Sequence, residues 1–175
     1  MKDISKKRIG EILVSEKLIT DGDVIKILNE QRHSECLFGE IAIDRSLITE
    51  AQLLECLIHQ CGIPYLDLMN YDIDKKLLDL FPEHLLVKCI AVPIERIGKY
   101  FIVAITQLLD DKSKEHFEEV TKEHVFFVLA KLSVVKNILN VYYAGKKDQK
   151  KKEMTDLGQM LLTNGNGKEE EKEDE

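Results

Sequence analysis

The chain has 175 residues, 44% of them hydrophobic and 33% charged, which is enough apolar material for the core of one domain or two small ones. Its 25 basic and 32 acidic side chains leave a net charge of −7, which argues against a general nucleic-acid binder and against electrostatic docking on an anionic membrane. It carries no apolar run near the ~18 residues of a membrane helix, no apolar leader after Met1, and no Walker A loop, G-x-G-x-x-G, H-E-x-x-H or G-x-S-x-G motif.

The first elements come from an internal repeat. Residues 8–31 read RIGEILVSEKLITDGDVIKILNEQ and residues 37–60 read LFGEIAIDRSLITEAQLLECLIHQ, an offset of 29. Identical residues recur at Gly10/Gly39, Glu11/Glu40, Ile12/Ile41, Leu18/Leu47, Ile19/Ile48, Thr20/Thr49 and Gln31/Gln60. Apolar character recurs at Ile9/Phe38, Val14/Ile43, Val24/Leu53 and Leu28/Leu57. Within each unit the apolar spacing is helical on both sides of a central break, so each unit reads as a pair of helices. Thr20 and Thr49 are candidate N-caps, with Asp23 and Gln52 at the reciprocal capping-box position. Residues 1–61 are expected to form a small four-helix bundle that leans on the following segment, because so short a bundle buries little area alone.

Residues 62–145 change character. Pro64–Leu68 is an extended piece, and residues 74–88 read as two short helices broken at Pro82. The runs 90–96 and 100–105 flank Ile97-Gly98-Lys99 as a β-hairpin, with Pro93 placing its strand at an edge or a bulge. Residues 110–122 read as a polar helix anchored by Phe117 and Val120. Residues 125–130 read as a third strand and 132–143 as an amphipathic helix. The expected class is α+β, with a small mixed sheet covered by helices. Residues 146–175, a basic run followed by an acidic end, are expected to be a charged, mostly disordered tail. Within it, Leu157, Gly158, Leu161 and Leu162 echo Ile9, Gly10, Leu13 and Val14. The acidic end looks like a natural terminus, which favours a free-standing protein.

The four cysteines are Cys36, Cys56, Cys61 and Cys89. In a cytoplasmic chain they are expected to be reduced thiols filling small apolar spaces. His33-x-x-Cys36 and Cys56-x-x-His59-x-Cys61 place soft ligands close in sequence, but on helices rather than in the paired turns of zinc sites. No metal is expected.

The duplicated unit resembles the tandem 24-residue motif of the MshEN domain, RLGxxLVxxGxIxxxxLxxxLxxQ with a five-residue spacer, which binds cyclic di-GMP. Residues 62–143 resemble the remainder of the N-terminal region of assembly ATPases of type II secretion and type IV pili, and the resemblance spans residues 6–145. In that family the region precedes an ATPase core; this sequence stops before one. The resemblance implies ligand-binding positions at Arg8, Ile9, Gly10, Val24, Leu28 and Gln31 in the first unit. It implies Phe38, Gly39, Leu53, Leu57 and Gln60 in the second. A guanidinium at Arg8 can meet guanine O6 and N7, or a phosphate, with two parallel hydrogen bonds. Lys6 and Lys7 would add positive potential for a dianionic ligand.

The sequence departs from the motif at Leu37, which stands for the family arginine, and at Phe38, which stands for leucine and can stack on a base. Lys17 and Ser46 replace the glycine between the helices of each unit, a costly exchange if that position needs a positive φ. Leu108-Leu109-Asp110 stands where the family carries a proline. The expected function is a non-enzymatic cytoplasmic regulatory or docking module, with no catalytic residue and no resident cofactor. Its expected partners are a motor ATPase or an inner-membrane platform protein, with cyclic di-GMP as ligand, and neither nucleic acid nor membrane insertion is expected. The alternative is a cyclic di-GMP receptor acting as a free-standing signalling adaptor.

Overall fold

The computed structural model describes residues 7–147 apart from Glu35. Its first compact unit ends at Leu139 and opens with four helices: α1 (Ile9–Ser15), α2 (Asp21–Gln31), α3 (Phe38–Asp44) and α4 (Glu50–Cys61). Both capping boxes form. The Asp23 N–H donates to Thr20 Oγ1 at 3.2 Å and the Thr20 N–H to Asp23 Oδ2 at 3.1 Å. Thr49 and Gln52 repeat the exchange at 3.2 and 2.8 Å.

α1 and α3 end alike. The Leu18 N–H reaches the Leu13 carbonyl and the Lys17 N–H the Val14 carbonyl, both at 2.9 Å. Leu47 to Ala42 and Ser46 to Ile43 repeat the pattern at 3.0 and 2.8 Å. This is a Schellman turn, whose closing residue must be left-handed. Lys17 has φ 60° and Ser46 φ 55°, so the position does need a positive φ. Neither residue is a glycine, and each turn holds an L side chain where one is strained.

The helices do not pack chiefly within their own repeat units. α1 packs chiefly on α4, and α2 on α3, so the two units clasp each other. Leu13, Ile27, Ile41 and Ala42 form a dry centre, at 0 to 2% exposed. Each of the larger ones stabilises by about 1.5–3 kcal/mol through burial.

After α4 the chain turns at Gly62 (φ 62°) and runs extended beside the sheet. The Leu129 N–H donates to the Pro64 carbonyl and the Leu66 N–H to the Leu129 carbonyl, both at 2.8 Å. Two short helices follow, α5 (Lys75–Asp79) and α6 (Glu83–Cys89), separated at Pro82 as expected. The sheet is mixed, in order β1 (Ala91–Ile97), β2 (Tyr100–Ile105), β3 (His124–Leu129). β1 and β2 are an antiparallel hairpin whose register shifts between Pro93 and Glu95, the bulge expected at the proline. β2 and β3 are parallel, joined through α7 (Asp111–Thr121), whose Phe117 is fully buried against Phe81 and Phe127. Asp110 caps α7, accepting from the Ser113 N–H at 2.8 Å. The fold is therefore α+β, with the small mixed sheet and helical cover read from the sequence.

The last helix, α8, spans residues 132–147. Its first turns lie in the first unit, with Leu132, Val135 and Leu139 buried. The second unit begins at Asn140; there Tyr142 and Tyr143 meet edge to face with centroids 5.0 Å apart, and Lys146 Nζ lies 5.2 Å over the Tyr142 ring. Lys146 and Lys147 thus belong to α8 rather than opening the tail, because the cation–π contact and the continuing backbone pattern extend the helix past Tyr143. The rest of the expected tail, including the echo at 157–162, lies outside the described residues.

Candidate functional site

The starts of α1 and α3 stand side by side. An ideal Cβ at Gly10 would lie 3.0 Å from the tip of the Phe38 ring. Phe38 at the start of α3 therefore packs on Gly10 at the start of α1, where the two units meet. At Gly39 the same construction meets Leu53 Cδ2 at 2.5 Å. Both glycines are buried, so in this conformation the close approach they allow is used by Phe38 and Leu53.

The repeated glutamines hold the clasp shut. Gln60 Nε2 donates to the Lys7 carbonyl at 2.7 Å, and Gln31 Nε2 to the Cys36 carbonyl at 3.3 Å. Lys7 and Cys36 are themselves equivalent, each preceding the N-cap of α1 or α3. Each unit's last glutamine thus pins the other unit's first helix. Gln60 is only 7% exposed, and its Oε1 is buried without a hydrogen-bond partner, an acceptor left for a donor to satisfy.

Arg8 and Leu37 occupy matching N-cap positions, φ −71° and ψ 150° against φ −73° and ψ 152°. Arg8 is exposed; Leu37 is half-buried and offers no charge. The remaining positions split by unit. Leu53 and Leu57 are core residues at 5% exposure, whereas Leu28 is 40% exposed and Ile9, Val24 and Gln31 are half-buried. α4 touches β3 as well as α1. Among the described residues the motif positions are therefore more exposed on the first unit than on the second.

A separate groove of about 460 Å³ runs between α1 and α4, lined among others by Lys7, Ile12, Glu16, Glu55, Cys56 and His59. None of the expected ligand positions lines it. In the matching place between α2 and α3, Arg45 Nε donates to Glu30 Oε2 at 2.7 Å and bridges the helices. The α1–α4 groove holds Glu16 and His59 at those repeat positions, a pairing visible in the aligned repeat. Burial, with help from Glu16 and Glu55, pushes the Cys56 thiol up, which keeps it protonated and unreactive. Among the described residues no group of three His, Cys, Asp or Glu side chains stands close enough to hold a metal ion. Nor is any described helix long and apolar enough to cross a membrane.

The model of the MshEN domain matches residues 61–149, the stretch from the end of α4 onward. The chain belongs to the MshEN family. Among curated relatives, the type IV pilus assembly ATPase PilB of Myxococcus xanthus is 27% identical over 139 residues, which is 79% of this chain and 25% of that protein. PilB of Thermus thermophilus is 27% identical over 120 residues, 67% of this chain and 14% of that protein. This MshEN chain thus spans a quarter or less of the curated relatives it matches. A solved structure of MshE with cdg aligns at a TM-score of 0.60 and 26% identity, covering 79% of this chain and 100% of that one. The N-terminal domain of XpsE aligns at 0.59 and 14% identity, covering 78% and 94%, and shows the shared fold.

Proposed function

We propose that this MshEN chain is a non-enzymatic regulatory and docking module that seats on a component of a type II secretion or type IV pilus machine. We further infer that its partly degenerate tandem motif takes cyclic di-GMP. The observation that carries the reading is the reciprocal clasp, which sets the starts of α1 and α3 side by side with Phe38 over Gly10. The motif then acts as one surface of two halves, matched to a ligand of two halves. The similarity to MshE, solved with cdg, supports the same reading.

The halves contribute unequally. Arg8 supplies the charge-assisted contact, and Val24 and Leu28 supply an open apolar face for a base. Gln60 Oε1 supplies a buried acceptor suited to a guanine N–H. On the second unit Leu37 offers no cation, and Phe38 must swing from Gly10 to stack on the ligand.

Titration calorimetry with cyclic di-GMP tests the nucleotide part. Wild type is expected to bind, and Arg8→Ala to bind ten- to a hundredfold more weakly, the worth of one charge-assisted hydrogen bond of about 1.5–3 kcal/mol. No heat with wild type at high micromolar nucleotide removes this part. Docking is tested separately by pull-down against motor and platform proteins of secretion and pilus machines, where no capture of any component refutes it.

A further inference from the structure

The two units place repeat-equivalent carboxylates alike, but among the described residues only those of the second unit hold a helix start. On the second unit Glu50, the first residue of α4, accepts from the Ser133 N–H at 2.7 Å and from Ser133 Oγ at 2.8 Å. Its carboxylate therefore sits at the positive start of α8. Glu40 on α3 pairs with Lys136, three residues further along α8. Two carboxylates of the second unit thus grip the opening turn of one helix, by its N-terminus and by its first cation.

The repeat places Asp21 at the position of Glu50 and Glu11 at that of Glu40. Glu11 accepts only a long bond from the Arg8 N–H, 3.4 Å, as Glu40 does from the Leu37 N–H at the same distance. No described cation pairs with Glu11 or Asp21, and both are exposed. The apolar surface beside them is bare as well. Ile25 is 60% exposed where its twin Leu54 is half-buried, and Leu28 is 40% exposed where its twin Leu57 is 5%. The occupied twin says what such a pair of carboxylates holds: a helix start with a hydroxyl residue and a cation three positions later.

We propose that the surface formed by Glu11, Asp21 and Ile25 is a vacant copy of the α8 seat, and that it docks the N-terminal turn of a helix of Ser/Thr-x-x-Lys character on a partner protein. Asp21 is one methylene shorter than Glu50, so the partner helix sits slightly closer to α2. The proposal deepens the docking part of the reading above and stands apart from its nucleotide part. A failed nucleotide titration leaves it intact, and a failed docking test here leaves the nucleotide site intact.

The probe is a synthetic peptide with the sequence of residues 131–147, KLSVVKNILNVYYAGKK, added to the full-length ¹⁵N-labelled chain. Amide shifts are expected to move at Glu11, Asp21 and Ile25 and to saturate below about 1 mM peptide. Glu11→Lys is expected to weaken binding at least tenfold, and a peptide carrying Lys136→Glu to restore it to that variant, which a merely structural effect would not do. Ile25→Asp, on an exposed position that leaves the core untouched, is expected to abolish binding. No shifts at about 1 mM, shifts confined to the Glu40 and Glu50 side, or binding indifferent to both substitutions each overturn the proposal. So does a wild-type dimer in sedimentation that Ile25→Asp dissociates, since that assigns the face to a second copy.

Discussion

Lys17 and Ser46 give the sharpest test of the duplicated architecture. Each closes a Schellman turn with positive φ, 60° and 55°, and each side chain is exposed, so its replacement loses no packing. An L residue in the left-handed region costs about 1–2 kcal/mol. Glycine removes that cost but gives back about 0.5–1 kcal/mol through the greater freedom of the unfolded chain. Lys17→Gly and Ser46→Gly should therefore each stabilise by ~0.5–1 kcal/mol. The turns share no partner, so the double variant should gain ~1–2 kcal/mol. At about 2–4 °C per kcal/mol for a unit of this size, Tm rises by about 2–8 °C. Thermal unfolding followed by circular dichroism at 222 nm measures it. Lys17→Ala and Ser46→Ala are the controls, because alanine keeps the strain and should bring no gain. A double glycine variant with unchanged or lower Tm, or alanine variants that match the glycine ones, would refute the reasoning.

Three further outcomes follow from the same geometry. Leu37→Arg should rebuild the missing half of the motif and tighten cyclic di-GMP ten- to a hundredfold by calorimetry, since Leu37 already has the backbone conformation of Arg8. Gln60→Ala should destabilise by about 1–3 kcal/mol in urea unfolding, because it orphans the Lys7 carbonyl and opens a buried space, whereas the half-exposed Gln31→Ala should cost only about 0.5–1.5 kcal/mol. Hydrogen bonds from Ser113 hold the Asp110 carboxyl below its ordinary value of 3.8, so its contribution is complete above that pH and fades as pH falls below it. Asp110→Asn should therefore flatten the acid limb of the urea midpoint against pH, and an unchanged slope below about pH 4 would contradict the assignment.

Much of the architecture was legible because it is written in local chemistry. Thr20 and Thr49 with their partners three residues on started α2 and α4, Pro82 broke α5 from α6, and Pro93 marked the bulge in β1. The positive φ at Lys17 and Ser46 followed from alignment with a glycine position, since a turn of fixed geometry dictates its backbone whichever side chain it carries. The candidate site was less legible. Gln31 and Gln60 read as groups facing a ligand, and the fold gives their amide nitrogens a first task, pinning Cys36 and Lys7 across the unit boundary. No pattern within one unit reveals a partner 53 residues away.

By itself, then, the sequence determined that a helical unit was duplicated, where α2 and α4 begin and where α5 and α6 part, and that a small sheet follows. Caps, breakers and hydrophobic period act over a few residues and leave their marks at fixed spacing. Only the tertiary structure decided that the units exchange partners, α1 with α4 and α2 with α3. It also decided that the start of α8 meets Glu40 and Glu50 of the second unit and, among the described residues, not their counterparts Glu11 and Asp21. Two helical pairs with the same caps and apolar spacing give no local sign of which pair the rest of the chain, tethered after α4, is placed to bury.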